Sequence, residues 1–305
     1  MARLTTSADT TSTGNVWYNT TTNKLQYSYL VPNVIPGVWS SGGALSVARY
    51  SLAGAGTQNA GLAFGGRSCS CTEEYNGTSW SVGGALATAK YNLAGAGTQN
   101  AGLAIGGCRA GVGAVACTEK YNGTSWSAGG ALITARTALA GAGTQNEALA
   151  FGGYLFPSNR TCTEEFNGTS WSAGGALITA RIDLAGAGTQ NAGLAFGGNS
   201  PLGSCTEEYD GTSWTAGGAL ITARADLAGA GTQNAALAFG GYAPSSSTEQ
   251  YNGTSWSAGG ALITARGFLA GAGTTTAGLA IGGYPSSSST EEYTQASDVI
   301  CTCSL

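Results

Sequence analysis

The residues of this sequence that could do chemistry recur at intervals. Adjacent carboxylates occur at Glu73-Glu74, Glu164-Glu165, Glu207-Glu208 and Glu291-Glu292. Two facing carboxyl groups are what glycoside hydrolysis requires. A series of cations recurs alongside them: Arg49, Lys90, Arg136, Arg181, Arg224 and Arg266. There is no histidine, which removes the usual general base and the commonest ligand for zinc or copper. Because the carboxylate pairs appear in nearly every copy of a repeat, none stands out as a reaction centre. The reading is therefore a protein that is not an enzyme, with no catalytic residue, no cofactor and no metal.

Eight cysteines offer a second chemistry. Cys71, Cys117, Cys162 and Cys205 occupy one repeat position, held by Ser247 and Ser289 in the last two copies. They read as small, half-apolar packing residues. Cys108 and Cys117 bracket one loop and are a candidate disulfide. Cys69-x-Cys71 and Cys301-x-Cys303 could together form disulfides or a four-thiolate zinc site. Free thiols or a single disulfide in the tail is the simpler expectation.

The elements that must position these residues follow from the repeat. Trp39, Trp80, Trp126, Trp171, Trp214 and Trp256 recur at spacings of 41, 46, 45, 43 and 42, each opening a near copy of W-S-x-G-G-A-L-x-x-A-R. An apolar run ending in Gly-Gly follows, then Thr-Glu and an aromatic, as in Cys162-Thr163-Glu164-Glu165-Phe166, then an Asn-Gly turn suited to a tight hairpin. Each unit reads as four short strands, a to d. In the third unit these are 137–144, 148–151, 162–166 and a strand starting near Trp171. Four short strands per 40–50 residues is the propeller pattern. Glycine reaches 51 residues and charged residues only 9%, yet 42% are hydrophobic and the net charge is −4, so the chain can bury a core rather than remain disordered.

In its order of apolar run, Gly-Gly, aromatic, turn, Trp and Arg, the repeat resembles the kelch repeat over about residues 39–293. The resemblance implies an all-β, six-bladed kelch-like β-propeller with four-stranded blades. Some kelch-like propellers are copper oxidases, but the histidines that such a site needs are absent. Asp210-Gly211-Thr212-Ser213-Trp214 superficially resembles the Asp box of six-bladed sialidases, but its spacing differs and most other copies carry Asn. Six a–b–c sets are present and the last has no following Trp. The segment around Trp39 should therefore supply strand d of the last blade, pairing residues 38–42 with 289–293 and removing the open edges of the ring. The tryptophans should fill the gaps between blades, and Gly and Ala should line the crowded channel. The repeated cations should pair with strand-c glutamates such as Glu73 and Glu164; the alternative is a positive ring at the channel mouth.

Comparing the copies with one another locates a binding face. The Thr-Gln-Asn and Asn-Gly-Thr-Ser turns hardly vary, whereas the b–c loops and the residues just after the repeated cation do. Both variable sets should lie on one face, and loops on a rigid scaffold carry most binding specificity. The candidate binding residues are Arg109, Tyr154, Phe156, Asn159, Arg160, Tyr242, Tyr284, Tyr50 and Tyr91, which suit a glycan or a protein.

Residues 1–38 fall outside the repeat. Gly14-Asn15-Val16-Trp17-Tyr18-Asn19-Thr20-Thr21-Thr22-Asn23-Lys24-Leu25-Gln26-Tyr27 reads as a hairpin and is similar to a segment of bacteriophage tail-fibre and other virion proteins. The G-G-A-L…A-R…L-A-G-A-G-T-Q runs also look like phage sequences. These resemblances imply a virion component of tail-fibre or spike type that binds a host-surface glycan or protein. It would contact other virion proteins through residues 1–38 or the propeller rim, as a homo-oligomer on the particle. The alternatives are a capsid decoration or tail-assembly protein and a cellular lectin-like propeller. An acidic pI of about 4.8 argues against nucleic acid, and no apolar run of 18 residues suggests membrane insertion. The opening residues lack the apolar stretch of a secretory signal. The Asn-Gly-Thr sites are thus expected to serve as turns rather than glycan acceptors, in a protein made in the host cytoplasm. Residues 294–305 read as a separate tail.

Overall fold

In a computed structural model, the structure describes residues 4–5, 16–20, 22–31, 36–67, 69–199, 203–242, 244–295 and 299–304. The chain divides into two units, one of residues 1–37 with 295–305 and the other Val38–Thr294. In the first, Leu4–Thr5, Val16–Asn19, Lys24–Val31 and Val299–Ser304 form one four-stranded sheet. The expected hairpin is present, with Asn19 opposite Lys24. The segment read as a separate tail supplies this sheet's last strand, Cys301 lying opposite Tyr29 and Cys303 opposite Tyr27. The side chains of Cys301 and Cys303 lie outside what the structure describes.

The second unit is a six-bladed β-propeller, each blade a four-stranded antiparallel sheet. Strands a to d of blade one are Ala53–Thr57, Ala60–Phe64, Thr72–Tyr75 and Trp80–Val82. Blades two to five repeat this order, with short extra hairpins in the b–c loops of blade two (Cys108–Arg109 with Gly113–Ala114) and blade three (Tyr154–Leu155 with Ser158–Asn159). Blade six takes strands a to c from Ala270–Gly273, Ala277–Ile281 and Thr290–Thr294. Its strand d is Val38–Ser41, with Trp39 opposite Tyr293, which closes the ring as the repeat count required. Among the described residues no helix is long and apolar enough to cross a membrane.

The repeated residues act mainly between blades. Each Trp indole N–H donates to the strand-c threonine of the preceding blade. Trp39 reaches Thr248 and Trp214 reaches Thr163, each at 2.9 Å, and the other four tryptophans make the same bond at 2.9–3.1 Å. The ring then packs on that blade's strand b, as Trp214 does on Phe151 at 5.0 Å. The glutamine of the a–b turn ties the neighbouring blade to the same partner, Gln99 Nε2 donating to the carbonyls of Gly61 and Tyr75 at 3.0 and 2.7 Å. At the glycine positions of strand a, where neighbouring blades meet at the channel, a side chain would collide with the next blade. A Cβ on Gly229 would lie 2.6 Å from Phe196 Cζ and 2.7 Å from the Gly186 carbonyl of the next strand a. The repeated glutamine of the a–b turn is thus structural, which explains its uniformity between blades without reference to a ligand.

Candidate functional site

Each repeated cation is buried against the first strand-c glutamate of its own blade: Arg49–Glu73, Lys90–Glu119, Arg136–Glu164, Arg181–Glu207, Arg224–Glu249 and Arg266–Glu291, at 2.8–3.2 Å. Burial lowers the pKa of the arginines. No positive ring faces the channel mouth. The second glutamate, where present, accepts from the tyrosine of the following blade: Tyr121 to Glu74, Tyr209 to Glu165 and Tyr75 to Glu292, at 2.5–2.6 Å. Burial, and then the hydrogen bond to the carboxylate, push Tyr121 and Tyr209 up to about 12. Blade three carries Phe166 in place of this tyrosine, and its would-be partner is Lys120, whose ammonium lies 6.0 Å over the Phe166 ring. The adjacent carboxylates are therefore engaged in blade-to-blade and strand-to-strand contacts and do not face one another across a cleft.

The cysteines also resolve. Cys69 and Cys71 are joined as a disulfide with Cα atoms 5.2 Å apart. The candidate Cys108–Cys117 bridge is not formed, since both thiols are free. The extra hairpin turns Cys108 opposite Ala114 and onto the Tyr91 hydroxyl at 3.3 Å, while Cys117 sits at the start of strand c, 3.8 Å from Lys90 Nζ. Among the described residues no group of three or more His, Cys, Asp or Glu could hold a metal ion.

Both variable sets lie on one face. The residue after the repeated cation bridges to the residue after Gly-Gly, as Tyr91 does to Cys108, Thr137 to Tyr154, Ala225 to Tyr242 and Gly267 to Tyr284. Of the nine candidate binding residues, four converge. Tyr50, Tyr91, Tyr242 and Tyr284 line one cavity of ≈ 240 Å³ together with Arg67, Ser51, Asn92 and Phe268. Tyr50 meets Tyr284 edge to face at 5.5 Å, Phe268 meets Tyr242 at 5.8 Å, and Arg67 Nη1 donates to the Tyr50 hydroxyl at 2.9 Å. Arg109, Tyr154, Phe156, Asn159 and Arg160 do not line it. They belong to the extra hairpins of blades two and three, where Phe156 is 81% exposed and Arg160 Nη2 donates to the Leu155 carbonyl.

The floor of this basin was not singled out in the sequence. It is the second residue after each repeated cation: Ser51, Asn92, Ala138, Asp183, Asp226 and Phe268. All six adopt left-handed backbone, φ 51–56°, which is costly for side chains other than glycine, Asn or Asp. A closed ring of hydrogen bonds holds them there. Each N–H donates to the carbonyl of its counterpart in the preceding blade at 2.8–3.0 Å, and Ser51 donating to Phe268 completes the circle. The signal was present: the following residue is Leu in every copy, while this position runs through Ser, Asn, Ala, Asp, Asp and Phe. Asp183 and Asp226 are neighbours in the ring and hydrogen-bond to each other. Burial pushes Asp183 up to about 6, and burial with the Asp183 charge pushes Asp226 up to about 8. Near neutral pH the pair holds one proton between them.

No protein-family model matches the sequence, and no curated protein is detectably similar to it. Among solved structures, the one titled "Structure of YjhT" is similar in fold. It has 13% identity and a TM-score of 0.70, covering 85% of this chain and 99% of that one. At that identity the likeness concerns the fold alone, a six-bladed propeller.

Proposed function

We propose that this protein is a non-enzymatic binding propeller of a bacteriophage virion, of tail-fibre or spike type, which holds a host-surface glycan on its variable face. One observation carries the binding part: aromatic side chains from different blades, Tyr50, Tyr91, Tyr242, Phe268 and Tyr284, meet over a single cavity rimmed by Arg67 and Asn92. Aromatic rings offer apolar faces and hydroxyl tips at small entropic cost. The cavity falls just below the roughly 300–1,000 Å³ usual for drug-sized ligands, which suits one ring-sized group. A protein partner would instead bury a broad flat area. The virion setting is supported by the kelch-like phage-type repeat and by residues 14–27, through which, or through the propeller rim, it would join other virion proteins.

Binding of the purified chain to host envelope polysaccharide, with Tyr242→Ala and Tyr284→Ala as variants, tests this. Both residues are substantially exposed, so their loss leaves the blades intact. The expected outcome is at least about a tenfold loss of affinity, a change of about 1.4 kcal/mol. Particle-bound protein with no affinity for any host polysaccharide would favour a capsid decoration or tail-assembly role instead.

A further inference from the structure

We infer that the group seated at the axis of the basin is the free ammonium of an amino sugar. The inference rests on the glycan-binding reading and specifies its ligand. The floor ring runs Ser51–Asn92–Ala138–Asp183–Asp226–Phe268, so that Ser51 faces Asp183 across the axis and Asn92 faces Asp226. Neither aspartate meets a cation. The six ion pairs among the described residues all join a repeated Arg or Lys to a strand-c glutamate. Ser51 is only 8% exposed, lines both the floor and the aromatic basin, and its hydroxyl makes no hydrogen bond to any described residue. The axis is thus lined on one side by the Asp183–Asp226 pair, which shares a single proton, and on the other by the Asn92 side chain and the Ser51 hydroxyl, which opens into the cavity without a protein partner.

A protonated primary amine brings three donors and no acceptor, which matches that surround better than a sugar hydroxyl, which carries one donor. Charge-assisted hydrogen bonds to a carboxylate are the stronger kind. The wall above the floor selects the same class. Phe268 belongs to both cavities, with Tyr50, Tyr242 and Tyr284 around it. Aromatic rings attract an organic cation and can stack on the sugar that carries it, but they replace none of the water that a hydrated metal ion would lose. Acetylation of the amine removes the charge and two of its three donors, so an N-acetylated sugar should be refused at this position.

The test is a titration of the full chain, followed by NMR or calorimetry, with D-glucosamine, N-acetyl-D-glucosamine, D-glucose and calcium chloride as separate probes. Glucosamine should bind at least about tenfold more tightly than its N-acetyl form, and Asp183→Asn with Asp226→Asn should abolish that preference. Ser51→Ala should weaken glucosamine selectively and serves as the milder variant if the double substitution unfolds the ring, while Val82→Ala, on the exposed strand d of blade one, should change nothing. Equal affinity for the three sugars, with Tyr242→Ala and Tyr284→Ala still weakening all of them, overturns the ammonium inference and leaves the glycan reading standing. Binding of calcium but not glucosamine overturns the inference by assigning the floor to a metal. No binding of any sugar, with host polysaccharide binding unaffected by the tyrosine variants, removes both.

Discussion

Replacing Arg181 by Met tests whether the buried ion pairs hold each blade together. Arg181 is 1% exposed. Its Nη1 donates to the carbonyls of Gly197 and Cys205 at 3.2 and 2.8 Å, and its Nη2 to Ala195 at 3.4 Å and to Glu207 Oε1 at 3.0 Å. Methionine fills much of the same volume and supplies none of these donors. Among the described residues, Glu207, 3% exposed, would keep only the Ile178 N–H at 2.7 Å as a hydrogen-bond partner for its buried charge. Removing one member of a buried pair costs about 3–5 kcal/mol, chiefly because the other charge is stranded. With a denaturant slope of about 5 kcal/mol per molar guanidinium for a domain of this size, the midpoint should fall by ~0.6–1.0 M, read from tryptophan fluorescence. Two companion variants separate charge from shape. Arg181→Lys should cost far less, because blade two places Lys90 against Glu119 at 3.0 Å in the same position. Arg181→Met combined with Glu207→Gln should recover much of the loss, since no charge is then stranded. A midpoint for Arg181→Met within ~0.2 M of the parent, less than about 1 kcal/mol on the same slope, would refute the reasoning.

Two further outcomes follow from the channel. Gly229→Ala should destabilise by about 1–3 kcal/mol, the usual range for overpacking, because the new Cβ meets Phe196 Cζ at 2.6 Å and the Gly186 carbonyl at 2.7 Å; an unchanged melting temperature would contradict the tight channel. Asp226→Asn should flatten the pH dependence of stability. With Asp226 raised to about 8 and Asp183 to about 6, both above the ordinary 3.8, the folded state binds protons more tightly than the unfolded chain. Stability from this pair is therefore fully present below about pH 4 and declines as pH rises through about 8. The Asn variant should gain on the parent at pH 9 and lose that gain at pH 4, as melting curves across the range would record, and parallel profiles would rule out a buried, coupled pair.

Much of the propeller was legible in the amino-acid sequence, for a physical reason. A blade cannot bury its faces alone, so each copy must repeat the residues that bond it to the next: the Trp that donates to a strand-c threonine, the turn glutamine, the channel glycines and the buried Arg–Glu pair. Periodicity exposes such residues directly, and even the closing strand at Trp39 follows from counting strands. The assignment of both variable sets to one face came the same way, from the antiparallel order of strands within a blade. What the repeat could not show was which variable residues meet. Tyr50, Tyr91, Tyr242 and Tyr284 are separated by up to most of the chain and share a cavity only because the ring closes, whereas Tyr154, Phe156 and Arg160 vary just as freely and stay outside it. Asp183 and Asp226 look like unremarked loop acids 43 residues apart. Only the circular hydrogen-bonded ring, with its left-handed backbone, turns them toward one axis, half-buries them together and leaves them without a cation. Local pattern determines what each blade must contain; closure of the circle decides which of its free positions become neighbours.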